Sequence, residues 1–317
     1  MIASWQAFSC NFRLQVRTIG KTAEKIFVLM ICLCASAPLH GVVASSDEPV
    51  VAEGAKLVLL ASGFETVEGP LVKGETFYFT DIPNQHIWTL DTKTLDKILL
   101  EEQTEGANGL AFDREGRLLM CKGAGKRLSR RERDGSETVV FKPVRQGVNG
   151  KEIPVGVNDV VVGKHGDIFI TVPGAGCVYG LDPDGSRPRV VVSGLKGPNG
   201  LMLSPDETKL YVSEYRAQRL HVYDLEDGRG VNGKVFAEVK PESDYGCDGM
   251  TVDALGNLYC AGPHAVRVWN SEGELIDRIA VPESPTNCAF AGKGSQTLYI
   301  TGRKAVYRIE MSVAGVR

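Results

Sequence analysis

Apolar and polar positions along this chain follow one short grammar that recurs. In Gly197-Pro198-Asn199-Gly200-Leu201-Met202-Leu203-Ser204-Pro205-Asp206 a loop ends in a polar residue, a short apolar strand follows, and a turn closes it. Leu210-Tyr211-Val212-Ser213-Glu214 is then a second strand that stops at a carboxylate. Asn108-Gly109-Leu110-Ala111-Phe112, Asn158-Asp159-Val160-Val161-Val162, Asp248-Gly249-Met250-Thr251-Val252 and Asn287-Cys288-Ala289-Phe290 repeat the first part, each followed by a second strand. A degenerate first copy begins at Glu68-Gly69-Pro70-Leu71-Val72 and runs into Phe77-Tyr78-Phe79-Thr80-Asp81.

The leading polar residues stand at 68, 108, 158, 199, 248 and 287, spaced 40, 50, 41, 49 and 39 apart. Short strands and Gly or Asp turns at this period mark propeller blades, so the copies predict an all-β, six-bladed β-propeller. A lead residue occupies the same place in every blade and is carried toward the common axis. Glu68, Asn158, Asn199 and Asp248 would converge at one mouth of the central channel. Because strands alternate in direction, the loops between second and third strands share that mouth. These include Glu214 to Arg216, Gly262 to His264 and Gly302 to Lys304.

Lys56-Leu57-Val58-Leu59-Leu60 reads as a strand with no partner in its own repeat, and it is expected to pair with the last blade and close the ring. Two connections are long: Lys142 to Val157, expected to fold over the mouth, and Pro241 to Cys247. The domain reading is residues 1–44 as a signal peptide, 45–55 as a linker and 56–317 as the propeller. In the first of these, Arg13, Arg17, Lys21 and Lys25 precede an apolar run from Ile26 to Pro38, and small residues precede Ser45. A membrane anchor is the competing reading, but that run is short for a span. Export to the periplasm or the medium is therefore expected, without stable membrane insertion after cleavage.

Composition adds little beyond exclusion. The whole chain carries 36 basic and 39 acidic residues, and removing 1–44 leaves 32 and 38, a net of −6. That balance argues against a nucleic-acid partner and suits a cation better than an anion. Cys121, Cys177, Cys247, Cys260 and Cys288 remain, with no C-x-x-C spacing, and read as buried thiols. No G-x-S-x-G or H-E-x-x-H motif occurs, and His86, His165, His221 and His264 are scattered. The run Lys122 to Arg133 is interleaved with acids and reads as a solvated face.

Two carboxylates, Glu68 and Asp248, with two carboxamides, Asn158 and Asn199, make a set of hard oxygen donors. Such a set suits one divalent ion, Ca²⁺ first, with Mn²⁺, Mg²⁺ or Zn²⁺ as alternatives. The plainer reading is that Asn-Gly and Asp-Gly are turn dipeptides chosen for backbone preference. That reading covers Asn108 and Asn287, which stay outside the metal shell here.

Taken together, Pro198-Asn199-Gly200-Leu201, Ser204-Pro205-Asp206, Leu210-Tyr211-Val212-Ser213-Glu214 and the run from Asp248 through Gly256-Asn257-Leu258-Tyr259 resemble the gluconolactonase, regucalcin (senescence marker protein) and luciferin-regenerating enzyme family. The resemblance spans roughly residues 56–310. It implies a six-bladed propeller that holds one divalent ion in its channel and hydrolyses lactones. It also implies Glu68, Asn199 and Asp248 as metal ligands, and Asn158 as a residue that contacts substrate or completes the shell. Gly302-Arg303-Lys304 stands where the organophosphatase branch has a His, which turns the reading away from that branch.

The expected activity is hydrolysis of a sugar lactone, with a small-molecule lactone as partner, the ion polarising the carbonyl and Asp248 assisting the attacking water. Glu214, Arg216, His264 and Arg303, with Asn158, are the expected substrate contacts. Two other readings are open: a propeller that binds a glycan or protein around a structural Ca²⁺, and a broader esterase or organophosphate hydrolase.

Overall fold

A computed structural model describes residues 49–239 and 246–316. The signal expected at 1–44, the first linker residues 45–48 and positions 241–245 of the second long connection lie outside the described residues. Within them the chain forms six four-stranded antiparallel sheets, one per blade, and one extra hairpin. Their innermost strands are Val67–Lys73, Ala107–Phe112, Val160–Val162, Pro198–Leu203, Met250–Val252 and Pro285–Ala291. In the sixth sheet the outermost strand comes from the beginning of the domain: Val58–Ser62 runs antiparallel to Ala305–Glu310, with Val58 opposite Arg308. Among the described residues no helix is long and apolar enough to cross a membrane.

Strand alternation explains how the blades pack. Successive side chains leave opposite faces of a sheet, so each second strand sends one set of apolar residues to the blade before it and the other to the blade after it. Leu118 and Met120 join Ile87 of blade one, whereas Leu119 and Cys121 join Val160, Ile168 and Ile170 of blade three. Phe169 packs toward Leu201, Leu210 and Val212 of blade four, and Tyr211 toward Met250 and Leu258 of blade five. Tyr259 meets Cys288, Leu298 and Ile300 of blade six, and Tyr299 meets Phe77 and Phe79 of blade one, which completes the circle. Cys121, Cys177, Cys247, Cys260 and Cys288 are all buried and unbridged, as thiols packed between sheets.

Two connections differ from a plain reading of composition. The segment before the first strand, read as linker, is partly core: Val50 is buried in the blade five–six cluster and Val51 bridges to Met311. Its polar residues cluster at 45–48, and Val50 supplies the burial with Val51 packed against the same cluster. The 142–157 insertion is a β-hairpin, Val144–Gln146 with Glu152–Pro154. Its base is fixed where Val155 and Val157 are buried in the blade two–three cluster, and its tip residue Val148 is 86% exposed.

At the inner end, successive blades are joined by hydrogen bonds. The hydroxyl of Thr80 donates to the carbonyl of Asn108 at 3.2 Å, the amide of Gly109 to the carbonyl of Asn158 at 2.9 Å, and the hydroxyl of Thr171 to the carbonyl of Asn199 at 2.6 Å. The amide of Gly249 donates to the carbonyl of Thr286 at 2.8 Å, and the Thr286 hydroxyl to the carbonyl of Val67 at 2.5 Å, which ties blade six to blade one. Between blades four and five the link is steric: a β-carbon on Gly200 would lie 2.5 Å from the carbonyl oxygen of Asp248 and 2.7 Å from the α-carbon of Gly249. Backbone cannot swing aside as a side chain can. Gly200→Ala is accordingly expected to lower unfolding free energy by about 1–3 kcal/mol through overpacking. Chemical denaturation should show it, and a variant as stable as the parent would refute the close approach.

Candidate functional site

The lead residues do not sit in turns. In blades one, two, four and six the strand register slips at the lead dipeptide: between Glu68 and Leu71, Ala107 and Leu110, Pro198 and Leu201, and Pro285 and Asn287. In these four blades the lead therefore lies in or beside a β-bulge at the mouth end of the innermost strand, and a bulge re-aims nearby side chains. The turn-dipeptide reading of Asn108 and Asn287 is corrected by this placement, since both lie within strands.

Glu68 is 5% exposed, and its Oε2 accepts from the amide of Gly69 at 2.9 Å and from Asn287 Nδ2 at 3.1 Å. The same Nδ2 donates to Asp159 Oδ2 at 3.3 Å, while Asp159 Oδ1 accepts the amide of Val160 at 2.9 Å. Asp248 is hydrogen-bonded by the side chain of Asn199 and feels the charges of Asp159 and Arg303. Glu68 feels those of Asp248 and Asp159. Blades one, three, four, five and six thus each contribute to one buried group of oxygens around the axis.

Burial dominates its electrostatics. It pushes Glu68 well above the usual carboxylate range, and the neighbouring Asp248 and Asp159 push it further, against the donors Gly69 and Asn287. Burial moves Asp159 up to about 6 against the donors Val160 and Asn287. Burial, then Asp159, carries Asp248 up to about 8, with Arg303 from the blade-six mouth loop opposing.

The donor set suits a hard cation. Asp248 Oδ1 and Asn158 Oδ1 are both buried acceptors without a hydrogen-bond partner among the described residues. Among the described residues no group of three or more His, Cys, Asp or Glu side chains is arranged to hold an ion alone, so any site here needs the Asn oxygens. Orphaned carbonyl and carboxylate oxygens beside mutually repelling carboxylates are what a divalent ion would satisfy.

The other expected contacts separate. Glu214 is buried and committed within its own region: Oε1 accepts the amide of Lys196 and Oε2 lies 3.0 Å from His221 Nε2. Burial alone would raise it, but these partners hold it below the usual carboxylate range. Both Glu214 oxygens, expected from sequence to meet substrate, thus already have protein partners. Arg216 is exposed, its stem against Gly197 next to the blade-four lead, and His264 is exposed at a left-handed turn position with φ 55°. Of the mouth residues named from sequence, Arg303 is the one whose charge acts on the carboxylates.

Sequence reasoning missed Asp159 and the part played by Asn287. One signal was present. The residue after each lead is Gly69, Gly109, Asp159, Gly200, Gly249 and Cys288, so the third repeat places a carboxylate where its neighbours place glycine. The structure shows why it fits: a β-carbon on Gly109 would lie 2.2 Å from Asp159 Oδ1, so the side chain occupies room that the adjoining glycine leaves.

The raised carboxylates have a stability consequence. An acid whose folded pKa lies above its unfolded value holds its proton better when folded, so stability falls as pH rises from the unfolded value near 4 to the folded one. For Asp159 the window ends at about 6 and for Asp248 at about 8. In chelator, the melting temperature is expected to fall between pH 5 and pH 8, at up to ~1.4 kcal/mol per pH unit for each titrating group. Asp159→Asn should flatten the lower part of that slope. A melting temperature that climbs across the window would contradict the assignment.

Comparison with known proteins agrees with this geometry. The family model described as "SMP-30/Gluconolactonase/LRE-like region" matches residues 66–304. The chain is 28% identical over 296 residues to a gluconolactonase of Zymomonas mobilis, covering 81% of this chain and 82% of that protein. It is 30% identical over 247 residues to the pentonolactonase XacC of Haloferax volcanii, covering 74% and 80%. Among solved structures, a gluconolactonase from Xanthomonas campestris superposes with a TM-score of 0.73 at 27% identity, over 83% of this chain and 91% of that one. With the matched region running from two residues before the first lead to the mouth loop of the last blade, the chain belongs to the SMP-30/gluconolactonase/LRE-like family.

Proposed function

We propose that this protein is a metal-dependent lactonase that opens a sugar lactone with water. The observation that carries the reading is the buried oxygen group on the axis, in which Asp248 Oδ1 and Asn158 Oδ1 have no donor among the described residues. Relatives named gluconolactonase and pentonolactonase, each aligned over most of its own length, support the substrate class. Glu68, Asn199, Asp248 and Asn158 would hold the ion. When bound, a divalent ion there supplies Lewis-acid polarisation of the lactone carbonyl. Ca²⁺ fits the all-oxygen donor set, and export, read from residues 1–44, would place the site where that ion is plentiful.

The chain's own groups divide the remaining work. Asp248 takes the proton of the attacking water as the water oxygen bonds to the carbonyl carbon. It returns that proton to the ring oxygen as the ring C–O bond breaks, leaving the open hydroxy acid. The charge of Arg303 favours ionised Asp248 against the upward push of burial, and the charge of a bound divalent ion would act in the same sense, leaving the carboxylate able to accept. Asn199, hydrogen-bonded to Asp248, fixes its orientation. Arg216 and His264 stand exposed on mouth loops, where they would meet the hydroxyls of an incoming sugar.

The test is hydrolysis of glucono-1,5-lactone followed with a pH indicator, with and without EDTA. Asp248→Ala and Glu68→Gln are each expected to lower turnover by roughly 10²-fold or more. Wild-type protein should gain about 2.7 kcal/mol of stability at a hundredfold excess of Ca²⁺ over Kd, and the variants little, since a ligand stabilises only the state it binds. Full activity after exhaustive chelation would remove the metal from the mechanism. Inertness toward both gluconolactone and pentonolactones would remove the lactonase reading itself.

A further inference from the structure

We propose that Asn287 is a positioning residue for the ion site: it turns the Glu68 carboxylate so that one oxygen is held and the other is left for the ion. The inference rests on the metal reading of the site given above. Asn287 touches none of the reacting atoms and is not itself a ligand. Its effect passes through Glu68.

The orientation of its amide is determined by its neighbours. The amide of Cys288 donates to Asn287 Oδ1 at 2.8 Å, so the carbonyl side of the side chain is taken and the NH₂ side must face the other way. There it meets two acceptors from two other blades, Glu68 Oε2 at 3.1 Å and Asp159 Oδ2 at 3.3 Å. An amide nitrogen only donates, and it has two hydrogens, so two carboxylate oxygens satisfy it completely.

Asn287 has little room to move. Its own carbonyl accepts the hydroxyl of Thr301 at 3.3 Å, and Thr301 in turn lies 2.9 Å from the hydroxyl of Thr286. Its side-chain carbon would lie only 1.8 Å from a β-carbon on Gly249, so the amide lies flat on that glycine. Asp159 serves as the far anchor, since its other oxygen is held by the amide of Val160. The result is a strut from blade one through blade six to blade three.

The consequence falls on Glu68. Its Oε2 is occupied twice, by Gly69 and by Asn287, while no hydrogen bond among the described residues engages Oε1. A carboxylate clamped through one oxygen presents the other in a fixed direction. Partners of this kind, behind a metal ligand, typically change metal affinity by 10–100-fold.

Calcium titration calorimetry on the full chain tests the proposal, comparing wild type with Asn287→Leu, which removes the donor while keeping the branched shape. Asn287→Ser is the second variant, because a smaller side chain cannot overpack Gly249 if the leucine protein fails to fold. Both should weaken the Ca²⁺ Kd at least tenfold. A merely structural role would lower the melting temperature of the chelated protein and leave Kd within twofold of wild type, and that result overturns the proposal. If wild type itself binds neither Ca²⁺ nor Mn²⁺, the metal reading of the site fails. A crystal structure of Asn287→Leu then decides the positioning claim: a rotated Glu68 carboxylate supports it, and an unmoved one refutes it.

Discussion

The structure depends on how closely the six innermost strands approach one another at the mouth end. Apolar clusters between blades supply most of the burial, but they are forgiving of small shifts, because side chains can repack. The inner contacts are not. Amide to carbonyl from Gly109 to Asn158 and from Gly249 to Thr286, hydroxyl to carbonyl from Thr80 to Asn108 and from Thr171 to Asn199, and backbone against backbone at Gly200 fix the spacing between neighbours. When Thr286 reaches the carbonyl of Val67, the ring is closed at the same level as Glu68 and Asn287. The carboxylates converge because the backbone that carries them has no wider ring available to it.

That convergence works against the fold. Three carboxylates in one buried group repel each other and lose hydration, and each is driven upward in pKa mainly by burial. The surrounding chain offsets this only in part, with Gly69, Val160, Asn199 and Asn287 as donors and Arg303 as a countercharge. Two acceptors, Oδ1 of Asp248 and Oδ1 of Asn158, receive no hydrogen bond from the described residues. Packing gained between the blades sustains a strained polar centre, an arrangement expected where a site has been shaped for a ligand rather than for stability.

Much of this was legible because it follows from periodicity. A period-two apolar pattern, a turn, and a polar residue at the same point of every repeat fixed the blade count, the lead positions and the shared mouth. Local pattern did not carry register. Glu214 ends a strand at the mouth and looked available, yet cross-strand pairing of Val212 with His221 brings the imidazole beside it, and the amide of Lys196 closes the other oxygen. Asn287 looked like a turn residue because its neighbours in other repeats precede glycine, whereas a bulge inside a strand aims it across the channel. Asp159 was hidden differently, as a charged residue one position past the lead whose space comes from Gly109 in the adjoining blade. Each of these placements depends on what lies one strand or one blade away.

The division between strand and loop also says where specificity can change without loss of the site. Glu68, Asn199 and Asn287 belong to innermost strands, while Asn158, Asp159 and Asp248 lead directly into them, so their positions are set by the ring. Arg216, His264 and Lys304 are exposed on mouth loops, and the 144–154 hairpin leaves Val148 open to solvent at its tip. Loops of this kind vary at little cost in stability, since their residues contribute few buried contacts. A relative could therefore exchange rim residues to admit a different lactone while the axial oxygens stay unchanged. Arg303 is the exception: it sits on a rim loop, but its charge reaches Asp248, so replacing it would alter the carboxylate group as well as the entrance.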